Sequence, residues 1–540
     1  ILVKTPSIDW VQYRKLEPPG NLPVPLKEEG RLTILGEAFF RGRRVRFGIR
    51  PDDRRRHVYL IGKTGMGKST LLENMIFSDI QAGKGVAVID PHGDLADAVL
   101  RMVPRERTND VVLFDPADRD YPVSLNMLEC ATSEQRPLIA SGLMAVFTKL
   151  WPDVWSGRME HILRNTLLAL IESPGNSLLG VMRMYADASF RGKIIEHLSD
   201  PLVRSFWEDE FASWTEKFRT EAVSAIQNKV GQLLSTPIIR NIVGQVRSTI
   251  DLRHSMDTGK IVIVNLSKGK LGEDNANFLG SMLVTKFQLD AMSRAEIPEK
   301  DRRDFYLYVD EFQNFATPSF ATILSEARKY HLNLTMANQF VGQLTPDKSN
   351  TMLKDAVFGN VGTLISFQVG SEDAEEIADQ FGDETLKEDI GSLPKYAAYL
   401  RLMIDGVTSK AFSVATLPPP RLDQDAGRVE VIRKRSRERY SAKRAEVEGN
   451  IVRWAASQRV EKDKQRADEK AKEKEAEERE KAKKKGMKPD EYRQWRDREM
   501  WTNRINQLKK VVTNGGALSK EEMTEMQDLE KKLAAAGGAT

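Results

Sequence analysis

The stretch VYLIGKTGMGKST, at residues 58–70, decides the fold. Four apolar residues predict a buried strand, and the pattern GxxxxGK[ST] follows from Gly62 to Ser69. Glycines in such a loop let successive backbone N–H groups point into one concavity, where phosphate oxygens are held. The run STLLENMIFSDIQAG then predicts an amphipathic helix. A glycine turn before a helix is the structural alternative, but strand, loop and helix together predict a nucleotide-binding loop made of Gly62, Lys63, Thr64, Gly65, Met66, Gly67, Lys68, Ser69 and Thr70.

The chemistry of this loop predicts ATP and Mg²⁺ as ligands. Lys68 would reach the β- and γ-phosphates, and the Ser69 hydroxyl would coordinate Mg²⁺. The metal needs a carboxylate as well, and Asp310 directly follows the apolar strand FYLYV. Glu311 comes next and is predicted to act as general base on the attacking water. The alternative for the two acids is a helix N-cap followed by a solvated side chain.

Further polar residues follow neighbouring strands. Gln339 ends the strand LNLTMAN, where its amide would sense the γ-phosphate or orient water; a turn glutamine is the alternative. Arg328, in SEARKYH, would project across a subunit boundary to a neighbour's ATP, or merely complement a helix dipole. Asp90 or Asp94 would join the outer shell of the metal or contact the catalytic water. His92 is interpreted as a turn residue and not a metal ligand.

Strand-like and helix-like stretches alternate along much of the chain, which predicts an α/β fold with a mainly parallel central sheet. The alternation stops between about 131 and 249, where the apolar period is helical throughout, and this segment is interpreted as an all-α insertion. The predicted organisation is an irregular lead-in (1–30), a β-hairpin (31–57), two core segments (58–130 and 256–420) around the insertion (131–255), and a charged helical tail (421–540).

Composition narrows the classes of protein. The 540 residues carry a formal net charge of only +4, so nucleic-acid binding must come from local patches. Eight arginines against two aspartates between Arg41 and Arg56 form one such patch, with a solvated hairpin face as the equal alternative. The single cysteine, Cys130, excludes a disulfide scaffold and a multi-cysteine metal site. No apolar stretch approaches the ~18 residues of a membrane span.

The tail alternates charge sign with few apolar residues and lacks a sustained heptad stripe. Glu–Lys pairs four apart therefore favour a solvated helix over a coiled coil. Ser519 precedes Glu522 at the spacing of a capping box, which predicts the start of another helix.

With these residues in place, the chain resembles the HerA/FtsK-type ring translocases, and within them the TraG/TraD-like coupling ATPases of type IV secretion and conjugation. The resemblance covers roughly 31–417 and rests on YLIGKTGMGKSTLLENMI, VAVIDPHGDLA, YVDEFQNFATPSFATILSEARKYHLNLTMANQ and the helical insertion. It implies a P-loop NTPase core of RecA-like type and a homohexamer that moves DNA through its pore by hydrolysing ATP.

The resemblance also implies residue roles and partners. Hydrolysis would depend on Lys68, Ser69, Asp310 and Glu311, with Gln339 as sensor, Arg328 as trans arginine finger and Arg56 as a further nucleotide contact. Relaxases or secretion-channel proteins would be partners at the cytoplasmic face of the bacterial inner membrane. Coupling proteins usually begin with transmembrane helices, whereas this sequence begins at Ile1. A truncated or processed start is therefore expected, with membrane attachment only through a preceding segment and an otherwise cytoplasmic chain.

Three alternatives remain at this point. A soluble HerA-like translocase would serve DNA repair with a nuclease, and a secretion ATPase would act on protein without touching DNA. A nucleotide-dependent scaffold would bind ATP but hydrolyse little, and the intact pair Asp310–Glu311 opposes it.

Overall fold

A computed structural model describes the chain over residues 13–28, 30, 32–130, 132–317, 320–345, 350–382, 385–421, 426–514 and 516–537. Two compact units divide the chain, Ile1–Val452 and Arg453–Thr540. Within the described ranges, no helix combines the length and apolar character that crossing a bilayer requires.

The first unit is built on one large sheet. Eleven strands of the described residues form it, in the order β2-β1-β13-β10-β9-β3-β8-β7-β4-β6-β5, and β11 and β12 form a separate pair. The strands are β1 Thr33–Phe40, β2 Arg43–Ile49, β3 Val58–Ile61, β4 Gly85–Asp90, β5 Val111–Phe114, β6 Ile261–Asn265, β7 Phe305–Val309, β8 Leu332–Asn338, β9 Thr363–Ser366, β10 Ala397–Arg401, β11 Met403–Ile404, β12 Val407–Thr408 and β13 Phe412–Ala415. Strands β9 through β5 run parallel. The predicted α/β class with a mainly parallel sheet is confirmed.

Parallel strands such as β3 and β7 are apolar throughout because both faces of the sheet are covered. In β3, Val58 and Leu60 pack into one core, whereas Tyr59 and Ile61 pack into the core on the opposite face. A strand buried on both sides has no polar face, which explains the uninterrupted apolar runs in the sequence.

An N-terminal hairpin extends the sheet at one edge. Its turn residues, Arg41 and Gly42, have φ values of 47° and 77°, the left-handed conformations that match the twist of paired strands. Strand β1 pairs antiparallel with β13, which pairs with β10, and β10 in turn joins β9. The hairpin is therefore attached to the parallel strands through the last strands of the core.

Helices cover both faces. The first three are α1 Pro51–Arg54, α2 Lys68–Gln81 and α3 Asp94–Met102. Side chains of α2 and α3, such as Leu72 and Val99, pack into the same core as Val58.

The segment between β5 and β6 is mostly helical from residue 133 onward, and it lies on the other face. Its helices are α4 Arg136–Leu150, α5 Gly157–Glu172, α6 Leu179–Ala186, α7 Ala188–Glu196, α8 Pro201–Ser205, α9 Glu216–Ser235, α10 Pro237–Val243 and α11 Leu252–Thr258, with a π-helical turn at Phe206–Phe211. Leu143, Leu167 and Ile226 from this segment share one core with Tyr59. This group is called the helical insertion below.

The remaining helices of the core are α12 Lys268–Leu271, α13 Glu273–Met292, α14 Phe320–Glu326, α15 Met352–Asn360, α16 Ser371–Phe381 and α17 Lys387–Gly391, and they are followed by α18 Ala426–Tyr440. Helix α18 covers the edge strand β5, where the Leu113 amide donates to Ser436 Oγ at 2.9 Å. Arg433 also pairs with Asp97 and Asp115. The tail predicted from 421 therefore contributes its first helix to the compact unit, because this helix satisfies an otherwise open sheet edge.

A buried ionic network joins the hairpin, α2 and the central strands. Arg54 Nη1 donates to Asp79 Oδ2 at 2.6 Å and to Thr33 Oγ1 at 2.9 Å, and its Nη2 donates to the Tyr308 hydroxyl at 2.9 Å. The guanidinium also lies 4.1 Å from the centroid of the Tyr306 ring. Arg54 and Asp79 are almost completely excluded from water, and each neutralises the charge of the other.

Beyond α18 lie α19 Arg444–Lys484, α20 Pro489–Thr513 and α21 Lys520–Gly537. In the second unit, Ile505 and Leu508 of α20 are buried, and Arg504 pairs with Glu525 of α21. The capping box is confirmed, since Glu522 N donates to Ser519 Oγ at 3.2 Å and Ser519 N donates to Glu522 Oε2 at 2.9 Å.

Candidate functional site

The phosphate-binding loop connects β3 to α2. Gly65 and Gly67 have φ values of 80° and 120°, a region that side chains with a Cβ rarely adopt. Helix α2 begins at Lys68, so its unpaired N-terminal amides face the loop. The loop and the helix start therefore form the anion-binding concavity that the sequence predicts.

Lys68 is buried and hydrogen-bonded within this loop. Its side chain is only 7% exposed, and its Nζ donates to the carbonyls of Gly62 and Lys63. Burial lowers the pKa of the ammonium, while the carboxylates of Glu311 and Asp310 oppose that change. A positive charge is thus held at the loop and directed toward the acidic pair.

Asp310 directly follows β7 and is 7% exposed. Burial raises its pKa to about 6, the charges of Glu311 and Asp90 add to the increase, and Lys68 opposes it. Its Oδ1 accepts a hydrogen bond from the Glu311 amide at 3.0 Å. A divalent cation would relieve the repulsion among these carboxylates, and oxygen donors of this kind fit Mg²⁺. No group of three or more His, Cys, Asp and Glu side chains among the described residues, at this edge of the sheet or elsewhere, is arranged to hold a metal by itself.

Glu311 is held by two glutamine amides. Gln339 Nε2 donates to Glu311 Oε1 at 2.9 Å, and Gln313 Nε2 donates to Oε2 at 2.7 Å. The backbone of Glu311 is left-handed, with φ of 46°, a conformation that a residue with a Cβ adopts only when its surroundings enforce it. The carboxylate is therefore oriented by contacts on both of its oxygens.

The order of the strands brings loop and acids together. Strand β8 lies between β3 and β7, and all three run parallel. Gly62, Gln339 and Asp310 therefore follow strands that end at the same edge of the sheet. Two strand spacings separate the phosphate-binding loop from the acidic pair by about 10 Å. The space at this edge between Lys68 and Glu311 is called the cleft below.

Asp90 also lies at this edge but serves a local structural purpose. Its carboxylate accepts backbone hydrogen bonds from His92 at 2.8 Å, Gly93 at 2.9 Å and Ala96 at 2.9 Å, and so caps α3. His92 and Asp94 are exposed. Asp90 acts on the site through its charge, which contributes to the raised pKa of Asp310.

Arg328 and Arg56 lie away from the cleft of their own chain. Arg328 is exposed and precedes the start of β8 at Leu332, and Arg56 precedes the start of β3 at Val58. Both are therefore at the amino ends of the strands, and the length of β8 alone places Arg328 about 20 Å from the cleft. Neither arginine is brought together with Lys68 or Glu311 in one chain.

Two residues of the site were not predicted from the sequence. Gln313 stands two positions after Glu311, and that spacing was a usable signal. Tyr396 had none: its amide donates to the Met66 carbonyl at 2.8 Å, and a Cβ placed on Gly67 would lie 2.9 Å from its ring. Glycine at 67 is thus required by the close approach of the tyrosine as well as by its φ.

Comparison with known proteins agrees with this geometry. A family model described as the type IV secretion-system coupling protein DNA-binding domain matches residues 46–398. The type 4 coupling protein DotL of Legionella pneumophila is 22% identical over 431 residues, which are 68% of this chain and 53% of DotL. The chain thus spans about half the length of this curated relative.

Solved structures share the fold at low sequence identity. The plasmid coupling protein TrwB in complex with ADP and Mg²⁺ is 16% identical, with a TM-score of 0.51, over 77% of this chain and 98% of TrwB. VirB4 of Thermoanaerobacter pseudethanolicus is 14% identical, with a TM-score of 0.50, over 73% of this chain and 98% of VirB4.

Proposed function

The chain belongs to the family of type IV secretion-system coupling proteins, and from this membership we propose that it hydrolyses ATP to move DNA through a homohexameric ring. The observation that carries the proposal is the cleft in which the loop ending at Lys68–Ser69 faces Asp310 and a Glu311 carboxylate oriented by Gln339. Relaxases or secretion-channel proteins would be its partners, at the cytoplasmic face of the bacterial inner membrane.

Each residue of the cleft has a role in this proposal. Backbone amides from Gly62 to Thr70 bind the phosphates, and Lys68 neutralises charge on the β- and γ-phosphates. Glu311 accepts a proton from the attacking water as general base. Gln339 orients the Glu311 carboxylate and lies where it would sense the γ-phosphate. Ser69 and Asp310 would hold Mg²⁺, which when bound would supply electrostatic stabilisation of the phosphate oxygens.

The basic patch supports DNA as the substrate that is moved. Arg41, Arg43, Arg44 and Arg46 are exposed on the hairpin, although Glu37 lies 3.7 Å from both Arg44 and Arg46. In a ring, every subunit would present this patch, so a chain with little net charge would still offer many phosphate contacts.

The rate of ATP hydrolysis is expected to rise when DNA is added. The apparent affinity for DNA should fall about 10³-fold or more between about 50 and 200 mM salt, because the release of counterions drives the binding of phosphates. The measurement is a steady-state ATPase titration with DNA at several salt concentrations, with Lys68→Ala as the control for contaminating hydrolysis. If DNA does not change the rate of ATP hydrolysis but an unfolded protein substrate increases it, the result would favour protein delivery and contradict the proposal.

The position of Arg328 supports its assignment as an arginine finger acting on a neighbouring subunit, since it lies far from the cleft of its own chain. Arg328→Ala and Lys68→Ala should each be inactive alone, whereas an equal mixture should recover roughly a quarter of the wild-type activity. Random assembly then joins an intact loop to an intact arginine at about one interface in four. ATPase activity and particle mass are measured before and after mixing. If Arg328→Ala retains its turnover, the finger assignment is wrong.

A further inference from the structure

The helical insertion contacts the loop that carries Glu311. Lys149 lies in the last turn of α4, and its Nζ donates to the backbone carbonyl of Gln313 at 2.9 Å. The side chain of Gln313 in turn donates to Glu311 Oε2 at 2.7 Å. Two consecutive hydrogen bonds thus connect the insertion to the carboxylate.

Lys149 is an unusual residue for a purely structural position. It is partly buried, and no acidic group of the described residues offsets its charge. Burial lowers the pKa of its ammonium to about 7, and Lys268 adds to the decrease. Because an unpaired ammonium is costly to bury, an apolar residue would serve packing better. Its contact with the Gln313 carbonyl therefore indicates a role in positioning.

Both ends of the connection are held by aromatic packing. Phe147, two residues before Lys149, stacks on Trp151 and on Phe278 of α13, with ring centroids 5.4 and 6.4 Å apart. The loop is fixed by Phe312, whose ring meets Tyr59 edge to face. It is also fixed by Phe315, whose ring occupies the space where a Cβ on Gly280 would lie. A displacement of α4 would therefore reach the loop.

The amide of Gln313 is committed to the carboxylate. Its Nε2 contacts Glu311, while its Oε1 is buried and has no hydrogen-bond partner among the described residues. A glutamine that only stabilised the fold would be expected to pair both atoms, because a buried unpaired acceptor is costly. The donor of this amide is therefore used at Glu311, and its oxygen makes no hydrogen bond among the described residues that would hold the side chain elsewhere.

We propose that Lys149 and Gln313 are a pair of positioning residues through which the helical insertion sets the orientation of the Glu311 carboxylate. The inference rests on the proposed role of Glu311 in hydrolysis. It assigns the insertion a direct influence on turnover, since any shift of α4 would change the hydrogen bond at Glu311 Oε2.

The test is steady-state ATPase kinetics, together with the dissociation constant of ADP, for Lys149→Met. We expect kcat to fall about tenfold, the lower end of effects for residues that orient a reacting group, with KM and the ADP dissociation constant within about twofold of wild type. Lys149→Arg, which keeps a donor, should recover most of kcat. Thr148→Val is the matched control, since among the described residues the Thr148 hydroxyl donates within α4, to the Met144 carbonyl.

Two further measurements separate positioning from stability. Gln313→Ala should reproduce the loss in kcat. The double variant Lys149→Met/Gln313→Ala should lose no more kcat than either single variant. If Lys149→Met does not fold, Gln313→Ala still tests the pair. In a Glu311→Gln background, Lys149→Met should have no effect on residual turnover. The inference is overturned if Lys149→Met keeps the wild-type kcat. It is also overturned if Lys149→Met lowers kcat in the Glu311→Gln background by the same factor as in the wild type. If Glu311→Gln itself keeps full turnover, the proposed function of Glu311 fails instead.

Discussion

Replacement of Glu311 by glutamine is expected to lower the rate of ATP hydrolysis about 10³-fold while ATP still binds. Glutamine has nearly the same shape but cannot accept a proton from water, and general-base catalysis contributes about 10²–10⁴-fold. Gln339 and Gln313 each donate to one oxygen of the Glu311 carboxylate. In the variant, one of these two amides would face the NH₂ group of the new glutamine, which cannot accept a hydrogen bond. Substrate binding by the loop at Lys68 does not use this carboxylate.

The measurement is kcat from steady-state hydrolysis, paired with the dissociation constant of ATP measured at equilibrium. Glu299→Gln, at an exposed glutamate, is the matched control and should behave as wild type. A Glu311→Gln enzyme with unaltered kcat would show that another group removes the proton. Loss of ATP binding together with hydrolysis would instead indicate a damaged cleft.

Replacement of Arg54 by methionine is expected to lower the free energy of unfolding of the first unit by about 3–5 kcal/mol. The variant would leave Asp79, which is 0% exposed, without the arginine that donates to it at 2.6 Å. Lys84 Nζ, 3.0 Å from Asp79 Oδ1, would compensate only in part. The cost is large because an uncompensated charge remains buried, and not because the original ion pair was strongly stabilising.

Urea unfolding followed by tryptophan fluorescence tests this expectation, since the first unit contains the buried Trp207. Arg435→Met, which removes an arginine from an exposed ion pair with Glu438, should cost at most about 1 kcal/mol. The double variant Arg54→Met/Asp79→Leu should regain part of the lost stability, because both charges are then absent. A double variant as unstable as the sum of the single variants would contradict a dominant role for the unpaired carboxylate.

The parallel half of the fold could be predicted because its signal is local. Each apolar run named in the sequence, such as FYLYV or LNLTMAN, lies between covered faces, and polar residues directly after these runs meet at one edge. The grouping of Lys68, Asp310, Glu311 and Gln339 follows from that rule alone. Their catalytic roles remain predictions that the experiments above test.

Other parts depend on pairings that no local pattern contains. Strands β10 and β13 are short and pair with each other. In addition, β10 pairs with β9, and β13 pairs with β1. Arg54 belongs to a visibly basic stretch, yet it is buried against Asp79 while Arg41 in the same stretch is exposed. The contact of Lys149 with Gln313 joins residues 164 positions apart. Periodicity and motif spacing carry no information on such partners.

The placement of β3 between β8 and β9 has a consequence for biosynthesis. Val58 pairs with Thr335 and Thr363, so both neighbours of this strand leave the ribosome long after it does. At about 5–20 residues per second, the interval is roughly 15–60 s. During that time an apolar segment with two open edges is exposed on the nascent chain. The strand order itself therefore delays completion of the central sheet until the second half of the core has been synthesised.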